Sequence, residues 1–187
     1  MLSEQGDIIK QVKLGDHLAF KILVEKYQLY AYKLAFRILC DDEEAKDVVQ
    51  DSFIKIWKKI NSFDHSYKFT TWMYKIVTLT AIDRYRAIKK SSKVHLDEVN
   101  LSLDTISGHN LLIDVENRQL GETIKYLAEN LPEKQRLVFI LRDLQGMDSI
   151  EVQDILDMTA TMVKSNLYNA RKALKQKLIN IIAYERR

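Results

Sequence analysis

Between Asp16 and Leu39 apolar residues return every three or four positions, at Phe20, Leu23, Val24, Tyr27, Ala31, Leu34 and Ile38. That spacing puts them on one face of a long amphipathic helix. Asp41 and Asp42 interrupt the pattern, and a second stripe follows at Ala45, Val48, Val49, Phe53, Ile56, Trp57 and Ile60. Either aspartate suits the N-cap of this second helix, and its acidic first turn complements the positive end of the helix dipole. Asn61-Ser62-Phe63-Asp64 reads as a loop. A third helix is predicted from about Thr70 to Lys90, with Trp72, Ile76, Leu79 and Ile82 among its apolar positions.

The period then lapses. Residues 91–114 carry Asp97, Glu98, Asp104 and Asp114 against Lys93, with Ser-Gly-His-Asn at 107–110, and read as an extended linker. Val94, Leu96, Val99, Leu101, Leu103 and Ile106 would equally allow this segment to pack on one domain. Helical spacing resumes near Val115 with Leu120, Ile124, Leu127 and Leu131. Pro132 fits the first turn of a further helix, where its missing N–H costs little, and Val138, Leu141 and Leu144 carry that helix to Gly146. The expectation is an all-α chain of two small helical domains, 1–90 and 115–187, joined by a flexible linker over 91–114.

Composition agrees with this. The 187 residues include 5 Gly and 1 Pro, too few for the turns of a β-rich fold. At 47% apolar and 29% charged the chain lies in the globular range. Cys40 is the single cysteine, so no internal disulfide and no cysteine-based zinc site can form, which fits a reducing, cytoplasmic setting. The opening MLSEQGDIIKQVKLGD lacks a basic stretch followed by an apolar core. No run of about eighteen apolar residues occurs, so neither a secretory signal nor a membrane span is expected.

The net charge of +3 is modest, but its distribution is uneven. Asp41 to Asp51 holds six acids against Lys46. His65 to Lys90 holds Lys68, Lys75, Arg84, Arg86, Lys89 and Lys90 against Asp83. Met158 to Arg187 holds seven basic residues against Glu185. Two basic segments far apart suggest two contacts with a polyanion, although solvated helix faces would show the same charges.

Asp148-Ser149-Ile150-Glu151 has the form of a capping box. A short helix follows, with Val152, Ile155 and Leu156 inward. Asp157-Met158 then makes a tight turn, and Thr159 caps a second helix whose inward face is Val163, Leu167, Ala170, Leu174 and Leu178. A short helix, a tight turn and a longer basic helix is the geometry that lays the second helix in a major groove. Its outward face offers Thr161, Lys164, Ser165, Tyr168 and Asn169. Lys and Asn can bond base edges, and Ser and Tyr can reach phosphates. Arg171, Lys172 and Lys175 would touch the DNA backbone or stay solvated.

Residues 65–75, HSYKFTTWMYK, hold four aromatics and two lysines. Aromatic faces stack on unpaired bases while lysines follow phosphates, a combination suited to single-stranded nucleic acid. Phe69 and Trp72 are assigned partly to core. Tyr67, Lys68, Thr70, Thr71, Tyr74 and Lys75 are assigned to the exposed set.

With these segments in hand, the chain resembles the extracytoplasmic-function sigma factors, the small sigma factors of bacterial RNA polymerase. The resemblance is carried by GDHLAFKILVEKY at 15–27, DVVQDSFIKIWKKI at 47–60, FDHSYKFTTWMYKIVTLTAIDRYRAIKK at 63–90, LPEKQRLVFILRDLQGMDSIEVQDIL at 131–156 and TATMVKSNLYNARKALKQKL at 159–178. Their order and spacing are more specific than any one of them. The resemblance implies that Asp47, Gln50, Asp51, Phe53 and Trp57 dock on core RNA polymerase, although packing alone would also account for Phe53 and Trp57. It implies that Lys68, Thr70, Thr71, Trp72, Tyr74 and Lys75 capture flipped bases of the melted minus-ten strand. It implies that Thr161, Lys164, Ser165, Tyr168 and Asn169 read the minus-thirty-five duplex. It also implies an anti-sigma partner, which nothing in the sequence identifies.

Thr78, Asn166, Asn169, Gln153 and Met162 depart from residues frequent in the family, and leave the promoter sequence unpredictable. No catalytic, cofactor or metal motif is visible, and His17, His65, His95 and His109 are scattered. The chain is therefore not expected to be an enzyme. The alternative from another class is a conventional helix-turn-helix regulator with an N-terminal sensor or dimerisation domain.

Overall fold

The computed structural model describes residues 4–95 and 131–185. The rest of the expected linker, 96–114, and the helix expected from 115 to 130 therefore lie outside the described residues, as does the Leu178 side chain. Every regular element described is helical. In chain order they are α1 (Glu4–Lys13), α2 (His17–Leu39), α3 (Asp42–Lys59), α4 (Phe69–His95), α5 (Glu133–Phe139), α6 (Ser149–Leu156) and α7 (Ala160–Glu185).

Local chemistry sets most of the boundaries. Asp16 caps α2 by accepting the Leu18 amide at 2.8 Å and the Ala19 amide at 3.1 Å. The α2 helix ends at Cys40, which adopts the left-handed conformation at φ 54°. Asp41 then caps α3 by accepting the Glu44 amide at 2.9 Å. The α3 helix runs on into a tight 3-10 turn at Ile60–Ser62, part of the stretch expected to be loop. The α4 helix extends to His95, five residues beyond the expected end, because no Gly or Pro stops it. The α1 helix was not expected; Ile9 and Val12 bury its short apolar face.

Two further differences concern the C-terminal unit. The helix expected to continue from Pro132 to Gly146 leaves the α pitch at Ile140 and makes one wider π turn, Ile140–Leu144, before Gly146 at φ +69° ends it. Pro132 stands at the N-cap, with Glu133 in the first turn.

The α2, α3 and α4 helices pack on one another, with α1 against α2. Leu34, Ala35, Ile56, Met73 and Val77 are almost wholly removed from water. In the C-terminal unit α5 and α6 both pack on α7. The two units are not held apart: α4 lies against α6, and one continuous apolar core runs from Ile9 through Val77 to Leu141 and Val163. Among the described residues no helix is long and apolar enough to cross a membrane.

Candidate nucleic-acid interface

The α3 helix presents the acidic face. Asp47, Gln50 and Asp51 are exposed at helical spacing. Arg84 of α4 approaches from one side, donating from Nη2 to Glu44 at 2.9 Å, and its guanidinium is held above its ordinary pKa chiefly by that bond. Phe53 turns the other way, 6% exposed and edge-on to Phe20 at 6.4 Å. Trp57 is half-buried, stacked on His17 at 4.8 Å and tilted against Phe20 at 4.9 Å. The five residues expected to meet a partner protein thus divide. Three form a polar surface and two hold α3 to α2. Ile54 is half-exposed and was missed in the sequence, although it stands seven positions after Asp47 on the same face.

The aromatic segment divides in a similar way. Asp64 accepts the Ser66 amide at 2.8 Å and shapes the loop before α4, and that backbone bond holds its carboxyl below the usual range. Phe63 and Phe69 are buried and pack with half-buried Trp72, with ring centroids 5.4–5.9 Å apart. These rings fasten the start of α4 to the body, and Phe69 also meets Tyr27 at 5.5 Å. Tyr67 is 62% exposed, and Lys68 and Lys75 are also exposed. Thr70, Thr71 and Tyr74 are half-buried rather than open. Burial pushes the Tyr74 hydroxyl above its ordinary pKa, with Tyr30, Tyr27 and Glu151 adding to the effect and Arg37 opposing it.

The helix-turn-helix is built as its local signals required. Asp148 accepts the Glu151 amide at 2.8 Å while the Glu151 side chain accepts the Asp148 amide at 3.1 Å, a complete capping box. Asp157 takes the left-handed conformation at φ 52°. Thr159 caps α7 by accepting the Met162 amide at 3.3 Å. Val163, Ala170 and Leu174 are buried, and Leu167 is half-buried. Thr161, Lys164, Ser165, Tyr168 and Asn169 all face solvent together, with Tyr168 66% exposed. Arg171 is exposed, as expected, but its guanidinium also makes two bonds to Asp143, at 2.6 and 2.8 Å. That pair ties α7 to the π turn.

No sequence motif signals the seam between the units. Lys68 Nζ donates to Glu151 at 3.2 Å and Thr71 Oγ1 donates to the same oxygen at 2.9 Å. Arg86 pairs with Glu133 at 2.6 Å. Arg37 donates to the Leu144 carbonyl at 2.7 Å, and burial lowers its pKa. The Arg136 guanidinium, 7% exposed, lies 3.8 Å above the Tyr85 ring. Among the described residues no group of three or more metal-ligating side chains stands together.

Two family models match. Sigma-70 region 2 matches residues 23–91, which contain the acidic face and the aromatic segment. Sigma-70 region 4 matches residues 122–174, which contain the helix-turn-helix. The chain is 34% identical to the extracytoplasmic-function RNA polymerase sigma factor SigW of Bacillus subtilis over 178 residues, 91% of this chain and 94% of that protein. It is similar in fold to CnrH, solved in complex with the cytosolic domain of CnrY, with a TM-score of 0.68 and 22% identity over 92% of this chain and 96% of that one. It is also similar in fold to the sigma factor RpoE of Bartonella quintana, solved with the anti-sigma factor NepR, with a TM-score of 0.65 and 22% identity over 85% of this chain and 96% of that one.

Proposed function

The chain belongs to the extracytoplasmic-function sigma factors, and we propose which of its residues carry out each step of promoter recognition. It is a sigma factor that binds core RNA polymerase and directs promoter-specific transcription initiation. The conventional regulator is not favoured, because the region 2 match spans the half of the chain where a sensor would have to lie.

In our reading, Asp47, Gln50 and Asp51 meet a basic surface of the polymerase, and Ile54 adds an apolar contact at the centre of that face. Phe53 and Trp57 act by holding α3 in place. Lys164, Ser165, Tyr168, Asn169 and Thr161 enter the major groove of the upstream duplex, where side chains at the start of a recognition helix reach base edges. Lys68, Thr70, Thr71, Tyr74 and Lys75 take the melted strand, with Tyr67 as a further exposed ring. Trp72 supports that face from the aromatic cluster, and its exposed edge can still meet a base. Each stacked base contributes about 1–3 kcal/mol, so two or three offset much of the stacking lost on opening. The protein needs no catalytic group for this, because bond formation belongs to the polymerase. An anti-sigma partner is part of the proposal, since RpoE, similar in fold, was captured with one.

The single observation that carries the assignment is the joint exposure of the Asp47 face and the Lys164 face on one chain matching both sigma-70 regions. Charge reversal of Asp47 and Asp51 tests it. Co-elution with core polymerase should be lost while helicity is kept, and unchanged co-elution contradicts the docking assignment. Trp72→Ala with Tyr74→Ala should leave a closed bubble in permanganate footprinting. Normal opening would return those rings to a purely structural role.

A further inference from the structure

Glu151 holds two sets of partners at once. Its Oε2 accepts the Asp148 amide and completes the cap of α6. Its Oε1 accepts Lys68 Nζ at 3.2 Å and Thr71 Oγ1 at 2.9 Å. An ammonium and a hydroxyl converging on one anionic oxygen is also the chemistry that holds a phosphodiester oxygen. Both donors belong to the segment assigned above to the melted strand, and a second role for Glu151 rests on that assignment. While Glu151 is in place, a strand phosphate cannot take the same two donors.

We propose that Glu151 is a built-in phosphate mimic: in the free chain its carboxylate fills the seat of a strand phosphate between Lys68 and Thr71, so α4 accepts single-stranded DNA only when α6 moves away. The Lys164 face on α7 points to solvent and stays open in the same arrangement. Duplex binding is therefore available to the closed chain and strand capture is not. The closure is poised rather than locked. The Lys68 side chain is 71% exposed, and exposed ion pairs of this kind are weak. Arg136, stacked at the seam, has Nε and Nη2 buried without a hydrogen-bond partner among the described residues, which works against the closed form.

The test uses the full chain and a fluorescein-labelled oligothymidylate, with binding read by anisotropy. Glu151→Gln keeps the side-chain length and the oxygen that caps α6, since Gln serves the third helical position as Glu does, but it removes the charge. Asp154→Asn removes an equal charge from an exposed position about one turn along the same helix. Glu151→Gln should bind the oligonucleotide about two- to fivefold more tightly than the parent, the range an exposed pair supports, while Asp154→Asn should match the parent. No gain in Glu151→Gln, or an equal gain in Asp154→Asn, overturns the proposal.

Lys68→Ala made in both backgrounds separates the two ways of failing. If Lys68→Ala weakens binding but Glu151→Gln does not strengthen it, the mimic is wrong and the strand assignment survives. If Lys68→Ala changes nothing in either background, the strand assignment itself fails and takes the mimic with it. A measurement on the unaltered chain stands beside these. A zero-length carbodiimide should link Lys68 to Glu151, mapped by peptide mass, and saturating oligothymidylate should suppress that link. Absence of the link, or a link indifferent to the oligonucleotide, overturns the proposal.

Discussion

On α7, the Lys164, Ser165 and Tyr168 side chains are exposed, with none of the described residues of the other unit bonded to them. At the start of α4, Lys68 and Thr71 are bonded to Glu151, and Tyr74 is half-buried beside the seam. Both surfaces are basic and both are assigned to DNA, yet one is presented and the other is engaged. The difference lies in how each is built. The recognition face is the outer side of one long helix whose inner side packs on α5 and α6. The strand face sits where two units meet, so its availability depends on a contact between segments 83 residues apart.

Disturbing the core that the two units share puts the greatest stress on this contrast. Leu141 lies in the π turn and is wholly buried, so Leu141→Ala should cost about 2–5 kcal/mol of stability in denaturant unfolding. Because the apolar core is continuous, both units should lose stability together. Two separate transitions, with only the C-terminal one shifted, would show that the units fold independently. Next in size, Lys164→Ala with Tyr168→Ala should weaken promoter-duplex binding by about tenfold or more and leave oligothymidylate binding unchanged. A loss of both would mean that the two faces act as one.

Asp148→Ala removes half of the capping box and should cost about 1 kcal/mol in thermal unfolding. Since Glu151 is placed by that cap, oligothymidylate binding should rise slightly in the same variant. The smallest effect concerns acidity. Arg86 holds the Glu133 carboxyl below its ordinary 4.5, against the opposing effect of burial. A carboxylate depressed in the closed form supports closure above its ordinary value and ceases to do so as pH falls through the lower one. Small-angle scattering should therefore show slight expansion below about pH 4.5, worth under about 1 kcal/mol for so exposed a pair. Glu133→Gln should reduce that response.

What could be read from the sequence was local. Asp41, Asp148 and Thr159 announced helix starts because a cap is a bond across two or three residues. Asp157 announced the turn because aspartate tolerates the left-handed conformation it takes there. The apolar stripes indicated the three central helices because burial repeats with the helical period. The π turn at Ile140–Leu144 was not legible, because Leu141 and Leu144 suit an α pitch equally well. The α1 helix escaped notice because its apolar face is only Ile8, Ile9 and Val12 beside Gly6. Phe53 could not be sorted into surface or core, and Tyr74 was assigned to the exposed set although it is half-buried, since an aromatic on a helix suits either until its neighbours are known. Glu151 was recognised as a cap, and that role held no hint of a second one toward Lys68 and Thr71, because nothing in either segment encodes their meeting.

The decisive measurement is run-off transcription with bacterial core polymerase on fragmented genomic DNA, with the unaltered chain, the Lys164→Ala/Tyr168→Ala variant and the Trp72→Ala/Tyr74→Ala variant in parallel. Discrete new start sites that need the unaltered chain, and that are lost when either face is altered, are the predicted result. Start sites that persist when either face is altered, or none with the unaltered chain on templates that core polymerase can use, would contradict the assignment of these two faces to promoter DNA.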